Sequence, residues 1–408
     1  MSEYSPGYDD RIAGKIPTTE LLTQLKSPTG ICLSHSSLNQ AITLVPLDLA
    51  ESESQPYHSR RNSFTGHERA NLLPSSGQPD SPEIESVRSG RFKIWRDQDE
   101  AVNPKYPKAP YEYMAGLPRK NFRSLLIMAF NEWFQISEEQ CTIVSNIVGV
   151  LHNASLMIDD IQDGSKLRRG MPVTHSVYGI AQTINAANYM YFEAQHQLCS
   201  LPNWEKTVRV FEEELLYLHR GQGMELYWRD TFTPPTLDEY LQMVSNKTGG
   251  LFRLALRLLQ TTSGKSDKRL EPLADIFGII YQVLDDYKNL LDGKMATTKG
   301  YCDDISEGKF SFPIVHALSK AGPDCEIIKI LKSRPQENHL KAYIVRYLEN
   351  ESRSFEYTRR FLKELQVYAK GQLANLGHQN SMLEKLLDIL DEHMRAICYK
   401  PEDHAVGV

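Results

Sequence analysis

The chain has 408 residues, enough for one large domain or two of average size. Its net charge of −6 and its locally clustered basic residues disfavour a nucleic-acid-binding protein. The six cysteines form no C-x-x-C pair, which predicts reduced thiols and no structural zinc. We find neither a secretory signal nor a run of about 20 apolar residues, so we predict a cytoplasmic protein without a membrane anchor.

Residues 1–100 differ in composition from the rest of the chain. The segment 51–90 is rich in Ser, Pro, Arg, Glu and Gln and has few large apolar residues, which is typical of disorder. We therefore predict a mostly disordered N-terminal extension over residues 1–100, followed by one helical domain over residues 101–400.

From residue 111 on, apolar residues recur at helical spacing almost throughout. We predict helices over residues 122–134, 138–157, 183–199, 204–228, 237–260, 270–291, 312–320, 339–350, 354–376 and 381–394. Thr236 is predicted to cap a helix, and the pair Gly249-Gly250 inside a helical pattern indicates the close approach of a ligand or another helix. No alternating strand-type pattern persists, so the predicted class is all-α, a helical bundle around a central apolar cavity.

An acidic turn near the middle of the chain is the first sign of chemistry. Asp159, Asp160 and Asp163 fall within about one helical turn, and Asp159 and Asp163 share a face. Carboxylates this close repel one another unless a cation lies between them, and oxygen ligands without His or Cys suit Mg²⁺. Taken alone, the pattern is also consistent with an acidic turn at a protein surface.

A second acidic turn favours the metal site. Asp285, Asp286 and Asn289 repeat the spacing inside a strongly apolar segment. Carboxylates that face an apolar core need partners, so a purely structural interpretation is weaker here. Two such helices facing each other would hold several Mg²⁺ ions.

Clustered basic residues complete the predicted site. They are Lys120 and Arg123, His152, Arg168 and Arg169, Lys247 and Thr248 beside the glycine pair, and Lys299 and Lys309. Each is more often a surface residue, but their occurrence with two acidic turns indicates anion binding. The set calls for two phosphorylated substrates, one bridged to the aspartates through Mg²⁺ and one held by Arg and Lys alone. Metal and cations would stabilise a departing diphosphate and leave a carbocation in an apolar, water-free tunnel.

These motifs resemble those of the trans-isoprenyl diphosphate synthases, most closely the fungal-type geranylgeranyl diphosphate synthases. The resemblance covers residues 110–392 and rests on the stretches LHNASLMIDDIQDGSKLRRG, LHRGQGMELYWRD, NKTGGLF, YQVLDDYKNL and EGKFSFP. It implies an isoprenoid-synthase-type helical bundle, a homodimer or higher homo-oligomer, and head-to-tail (1′–4) condensation. The substrates would be isopentenyl diphosphate and an allylic diphosphate, foremost farnesyl and also geranyl or dimethylallyl diphosphate. The product would serve terpenoid biosynthesis or protein prenylation.

The resemblance also implies roles for individual residues. The Mg²⁺ ligands, for three ions per active site, would be Asp159, Asp160, Asp163, Asp285 and Asp286, which with Lys247 form the expected catalytic set. The allylic diphosphate would contact Arg168, Lys247, Gln282, Lys299 and Lys309. Isopentenyl diphosphate would contact Lys120, Arg123, His152 and Arg169. We add Thr248 and Asn289 to the expected substrate-binding residues.

The length of the product is predicted from bulk along the tunnel. The small residues Ala154 and Ser155 would leave the tunnel open near the first acidic turn, as the resemblance implies. Tyr191, Phe192 and His219 would then form a deeper floor, which predicts a C20 product. Three positions depart from the pattern of the similar enzymes: Arg119 stands in place of Gly, Glu225 in place of Asp, and Asn289 where many relatives have Asp. We expect activity to survive the change at Glu225.

Three other interpretations stay open on the sequence. A class I terpene cyclase also uses an aspartate-rich turn, although it does not require a basic site for a second substrate. A non-catalytic regulatory subunit commonly loses site residues that this chain keeps. A prenyltransferase half of a bifunctional cyclase would have the same site.

Overall fold

The computed structural model describes residues 81–89, 105–117, 122–291, 300–322, 325–377 and 380–398. The described residues fall into two units, with residues 81–89 in the smaller unit and the described residues of 105–398 in the larger unit. In the smaller unit, helix α1 (Pro82–Arg88) is a short helix inside the segment for which the composition predicts disorder, and the mostly disordered extension stays a prediction. The rest of the predicted disordered extension, and the predicted site residues Lys120 and Lys299, lie outside the described residues.

The described part of the larger unit is almost entirely helical, which confirms the all-α prediction. Its helices are α2 (Lys105–Gly116), α3 (Phe122–Phe134), α4 (Glu138–Asp163), α5 (Thr174–Tyr178), α6 (Ile180–Gln197), α7 (Trp204–Thr231), α8 (Leu237–Val244), α9 (Gly250–Ser263), α10 (Leu270–Leu291), α11 (Asp303–Glu307), α12 (Phe312–Ala321), α13 (Glu326–Lys332), α14 (Asn338–Arg346), α15 (Ser354–Asn375) and α16 (Ser381–Cys398). A 3₁₀ turn (Leu198–Ser200) follows α6, and π-helical turns (Ser245–Gly249 and Tyr347–Glu351) follow α8 and α14. Two short antiparallel strands, β1 (Leu167–Arg168) and β2 (Met171–Pro172), form a hairpin between α4 and α5.

Several helices follow the predicted bounds closely. Helices α3 and α10 begin and end as predicted, and Thr236 caps α8 in a reciprocal capping box with Glu239. Helix α4 continues beyond residue 157 to Asp163 and ends at Gly164, whose φ of 66° lies in the left-handed region that glycine tolerates. The hairpin and the short helices α2, α5, α11 and α13 were not predicted, since most are too short to show a helical period.

The predicted single helix over residues 237–260 is wrong, because a π-turn separates α8 from α9. Gly249 closes this turn and lies against α10. A Cβ built on Gly278 would lie 2.7 Å from the Cα of Gly249, so the close approach requires glycine at position 278. The close approach predicted from the glycine pair is therefore an approach to another helix.

Helix α4 is the central helix of the larger unit and packs against α2, α3, α6 and α9. By length and composition it could cross a membrane, contrary to the expectation that no run is apolar enough. A single such helix is weak evidence, since the core helix of a soluble protein passes the same test. Its fully buried Leu151 and Val144 lie in the main hydrophobic core, so we interpret α4 as a core helix. The cytoplasmic location stays a prediction.

Candidate active site

A cavity of about 1070 Å³ lies between the helices of the larger unit. Its wall includes residues of α2, α3, α4, α6, α7, α8, α9 and α10. Lys247 and Thr248 of the π-turn Ser245–Gly249 also line it. Carboxylates and amines line part of the wall, and aromatic and aliphatic side chains such as Tyr191, Leu218 and Leu251 line another part. One space therefore combines a charged region with an apolar region, as the sequence predicts.

The three aspartates of α4 have different surroundings. Asp159 lines the cavity and accepts a hydrogen bond from Gln222 Nε2 at 3.2 Å. Asp160 is fully buried and does not line the cavity; Arg168 Nε lies 2.9 Å from its Oδ1. Asp163 contacts Arg229 and Lys309. The predicted role of Asp160 as a metal ligand stays a prediction, since its side chain packs against the guanidinium of Arg168.

Burial controls the charge of Asp163. Removal from water raises the pKa of its carboxyl group to about 7, and the nearby ammonium of Lys309 opposes this shift. The pKa of Lys309 lies well above its ordinary value, because attraction to Asp163 and Glu307 outweighs the cost of burial. The two groups therefore stabilise each other as an ion pair inside the protein.

The second acidic turn, on α10, faces the same cavity. Asp285 and Asp286 both line it. Asp286 accepts hydrogen bonds from the hydroxyl of Tyr240, from the backbone N–H of Phe312 at 2.8 Å and from Gln282 Nε2 at 2.8 Å. Burial raises the pKa of Asp286 to about 6, and these three donors oppose the shift because they stabilise the charged form.

Asn289 ends the second acidic turn but does not line the cavity. It is buried, and its Oδ1 accepts a hydrogen bond from the backbone N–H of Asp304 at 3.2 Å. This contact ties α10 to the start of α11. The expected contact between Asn289 and substrate stays a prediction.

The π-turn places Lys247 and Thr248 in the cavity wall. Lys247 Nζ lies 3.3 Å from Asp159 Oδ1 and also contacts the carboxylate of Glu225. Thr248 Oγ1 donates a hydrogen bond to Gln282 Oε1 at 2.7 Å. Glu225 thus reaches the lysine from the adjacent helix α7.

Arg123, His152 and Arg169 line another part of the wall, which we call the basic corner. The guanidinium of Arg123 lies 5.5 Å from the ring centroid of Tyr281 and 5.9 Å from that of Phe252. Its Nε is buried and has no hydrogen-bond partner among the described residues. Burial lowers the pKa of His152 well below its ordinary value, and the neighbouring Arg123 lowers it further. The basic corner thus combines arginine guanidinium groups with a neutral imidazole.

The predicted chain-length residues separate into two groups. Ser155, Tyr191 and His219 line the cavity, and the rings of Tyr191 and His219 are 5.8 Å apart. Ala154 is buried in a second hydrophobic cluster, and the side chain of Phe192 is 70 % exposed. Neither Ala154 nor Phe192 lines the cavity.

Several residues of the site were given no role from the sequence, although Gln222, Arg229 and Glu307 lie within the quoted motifs. Arg229 and Glu307 contact the Asp163–Lys309 pair, and Tyr240 contacts Asp286. Gln222 joins Asp159 to Gln162, with a hydrogen bond of 2.7 Å to Gln162 Oε1. Except for Glu307 and Lys309, which are two residues apart, these contacts join side chains that are far apart in the chain.

The donor chemistry of the cavity fits Mg²⁺. Among the residues that the structure describes, no three His, Cys, Asp or Glu side chains are drawn together as a metal site. Asp159, Asp285 and Asp286 nevertheless line one cavity with oxygen donors alone, the ligands that Mg²⁺ prefers. The amines of Lys247 and Lys309 lie against carboxylates of α4, and they can turn to an anion when a metal compensates those charges.

Comparisons with known proteins agree with this geometry. A family model described as polyprenyl synthetase matches residues 104–348. A geranylgeranyl pyrophosphate synthase of Aspergillus versicolor is 51% identical over 296 residues, which cover 71% of this chain and 77% of that protein. A geranylgeranyl pyrophosphate synthase of Emericella nidulans is 47% identical over 297 residues (72% and 74%), and one of Penicillium canescens is 43% identical over 332 residues (79% and 97%).

Proposed function

Because the chain belongs to the polyprenyl synthetase family, we propose that it is a geranylgeranyl diphosphate synthase. It would join isopentenyl diphosphate head-to-tail (1′–4) to an allylic diphosphate, with farnesyl diphosphate as the main primer. The observation that carries this proposal is a single cavity that holds two acidic turns, a basic corner and an apolar wall. The similar fungal proteins named above bear the same activity in their names.

The allylic diphosphate would bind between the two acidic turns. Lys247, Lys309 and Arg168 lie beside the aspartates of α4 and would donate to its oxygens. Up to three Mg²⁺ ions, held by carboxylates of both turns, would supply the positive charge that stabilises a leaving diphosphate. Gln282, fixed between Thr248 and Asp286, can donate to the same group after a small rotation.

Isopentenyl diphosphate would bind in the basic corner. Arg123 and Arg169 offer guanidinium groups, which bind phosphate oxygens with two parallel hydrogen bonds. The unpartnered Nε of Arg123 is one donor that a second diphosphate would satisfy. His152 is neutral because its pKa is lowered, so it can offer a hydrogen bond without adding charge.

The reaction follows from these two positions. The C–O bond of the allylic substrate breaks, the diphosphate leaves with the bonding electrons, and an allylic cation remains in the apolar part of the cavity. The double bond of isopentenyl diphosphate attacks C1 of this cation and forms the new C–C bond. Loss of a proton from C2 of the isopentenyl unit to the released diphosphate restores the double bond. Tyr191 and Leu218 help to exclude water, which would quench the cation.

A homodimer is part of this proposal. Large apolar side chains are exposed on α6 and α7, among them Ile184, Phe192, Leu216 and Tyr217. Exposed apolar surface of this kind is typical of an interface between subunits. Light scattering of the purified chain should give twice the mass of the monomer or a higher multiple, and a monomer at all concentrations would contradict this part of the proposal.

An omission experiment tests the proposed reaction. The purified chain is incubated with Mg²⁺ and farnesyl diphosphate, with and without isopentenyl diphosphate, and diphosphate release and organic products are measured. Release that requires isopentenyl diphosphate supports condensation. A hydrocarbon formed without isopentenyl diphosphate would indicate a terpene cyclase, and no turnover in either mixture would indicate a regulatory subunit.

A further inference from the structure

The π-turn Ser245–Gly249 gives two substrate-facing residues their direction. One extra residue in a turn rotates the following helix by about 100° relative to a continuous α-helix. Lys247 and Thr248 therefore line the cavity, while the apolar residues of α9 still face the core. A change in this turn would move the ammonium and the hydroxyl together.

Helices α7 and α10 pack closely against the π-turn from two sides. A Cβ built on Gly221 of α7 would lie 2.5 Å from the backbone N of Lys247. A Cβ built on Gly278 of α10 would lie 2.7 Å from the Cα of Gly249. These contacts leave no room for a larger side chain at either glycine. They include no hydrogen bond or ion pair, so they do not by themselves fix the orientation of the π-turn.

A mostly buried arginine, with a side chain that is 11% exposed, supplies the polar bonds. Arg253 Nη1 donates to the backbone carbonyl of Ser245 at 2.8 Å and to its Oγ at 3.1 Å. The same guanidinium pairs with Asp275 of α10 and, through Nη2 at 3.0 Å, with Glu214 of α7. Arg253 therefore links the start of the π-turn to helices α7 and α10, which pack against it.

Because Gly249 has no side chain, the Arg253–Asp275 ion pair can lie directly against it. A Cβ built on Gly249 would lie 3.0 Å from Asp275 Oδ1 and 3.1 Å from Arg253 Nη1. Ser245 Oγ also donates to Asp275 Oδ1 at 3.1 Å. Both ends of the π-turn thus contact the Arg253–Asp275 pair.

We propose that Arg253 is a positioning residue that holds the π-turn so that Lys247 and Thr248 meet the allylic diphosphate. Arg253 does not line the cavity, so it would act through the turn and not on substrate. The inference rests on the proposed function, because it assigns Lys247 and Thr248 to the allylic diphosphate of that reaction.

The test compares Arg253→Met with Arg257→Met. Arg257 lies on the same helix and pairs with Glu213 at 2.6 Å and Glu214 at 2.7 Å, and among the described residues it makes no hydrogen bond to the π-turn. Calorimetry measures the binding of inorganic pyrophosphate with Mg²⁺, and steady-state kinetics give KM for farnesyl and isopentenyl diphosphate. Arg253→Met should weaken pyrophosphate binding and raise KM for farnesyl diphosphate about 10–100-fold, since a misplacement of about 1 Å can cost this much. KM for isopentenyl diphosphate should stay unchanged, and Arg257→Met should resemble the wild type.

Two milder variants keep the test decisive if Arg253→Met folds poorly. Arg253→Lys keeps the positive charge and should restore part of the pyrophosphate affinity. Ser245→Ala changes no buried charge and should weaken pyrophosphate binding about 2- to 10-fold, the worth of a hydrogen bond.

Two results would overturn the inference while condensation by the wild type stands. One is an equal effect of Arg253→Met and Arg257→Met; the other is a rise of KM for both substrates in Arg253→Met that follows its loss of thermal stability. A wild-type chain that neither binds pyrophosphate nor condenses the substrates would instead contradict the proposed function itself.

Discussion

The carboxylate of Asp163 forms ion pairs with both Arg229 and Lys309. Arg229 Nη1 lies 2.8 Å from Asp163 Oδ1, and Lys309 Nζ lies 2.5 Å from Asp163 Oδ2. Both carboxylate oxygens are thus held by cations from other parts of the chain. If Lys309 turns to a diphosphate, Arg229 still fixes the direction of the Asp163 carboxylate. Arg229 is buried and does not line the cavity, so its contribution is to orient a predicted metal ligand.

Arg229→Met should therefore raise the Mg²⁺ concentration for half-maximal activity by about 10–100-fold, the usual cost of removing a partner behind a metal ligand. Arg334→Met is the matched control, because Arg334 forms an exposed ion pair with Asp230 near the same helix end. Activity is measured over a Mg²⁺ titration of all three proteins. The same Mg²⁺ dependence in Arg229→Met and Arg334→Met would contradict the assigned role.

The contact between Asp163 and Arg229 also marks the limit of sequence reasoning. Both acidic turns, Lys247 and the basic corner could be predicted, because their residues form short local patterns. Arg229 lies 66 residues from Asp163, and Tyr240 lies 46 residues from Asp286. Such contacts depend on how helices pack, which no local spacing encodes.

The π-turn was missed for a different reason. Helix α9 is buried at most of its positions, including Leu251, Phe252 and Leu254. The helix has a polar face, with Arg253 and Arg257 four residues apart, and its apolar residues keep the same helical period whether or not one extra residue precedes it. The glycine pair was the visible signal, and it indicated close approach without indicating the extra residue.

Gly149 should limit product length, although the sequence did not single it out. It lines the cavity in the middle of α4, about 15 Å before Asp159 along the helix axis. A Cβ at this position meets no atom within 4 Å, so a larger side chain would project into open cavity. Gly149→Leu should shift the main product from C20 to C15, and Gly149→Ala should leave it at C20. Chromatography of the dephosphorylated alcohols measures this, and C20 as the main product of Gly149→Leu would contradict it.

Tyr191 and Phe192 are adjacent but should have different effects on product length. The sequence assigns both residues to the floor of the tunnel, where a smaller side chain should lengthen the product. The ring of Tyr191 lines the cavity, whereas that of Phe192 is 70 % exposed. We therefore expect Tyr191→Ala to yield more product longer than C20 than Phe192→Ala does. The two product distributions are compared at equal conversion, and a larger shift in Phe192→Ala would contradict the structural assignment.

His316 should make stability depend on pH. It is 2 % exposed, stacks on Tyr357 and hydrogen-bonds Ser354 Oγ at 2.9 Å. Burial, together with the positive charge of nearby Lys320, lowers the pKa of His316 to about 4. The unfolded chain, with a histidine pKa of about 6.5, binds the proton more readily, so stability falls as pH drops from 6.5 towards 4.

Between pH 7.5 and 5.5 this histidine should cost the folded state about 1.4 kcal/mol. His316→Gln should remove that part of the pH dependence, although it also lowers stability at both pH values by removing the ring stack. Urea unfolding at the two pH values measures the effect. An equal decrease in the free energy of unfolding in both proteins would contradict the assignment.

The most direct test of the central claim is the product formed from defined primers. The purified chain is incubated with Mg²⁺, isopentenyl diphosphate and, separately, the C5, C10 and C15 allylic diphosphates, and the alcohols are identified after dephosphorylation. We predict geranylgeraniol as the main product, lost on addition of EDTA and in Asp159→Ala. A C15 or C25 main product would contradict the assigned cavity floor, and no elongation of any primer would contradict the proposed function.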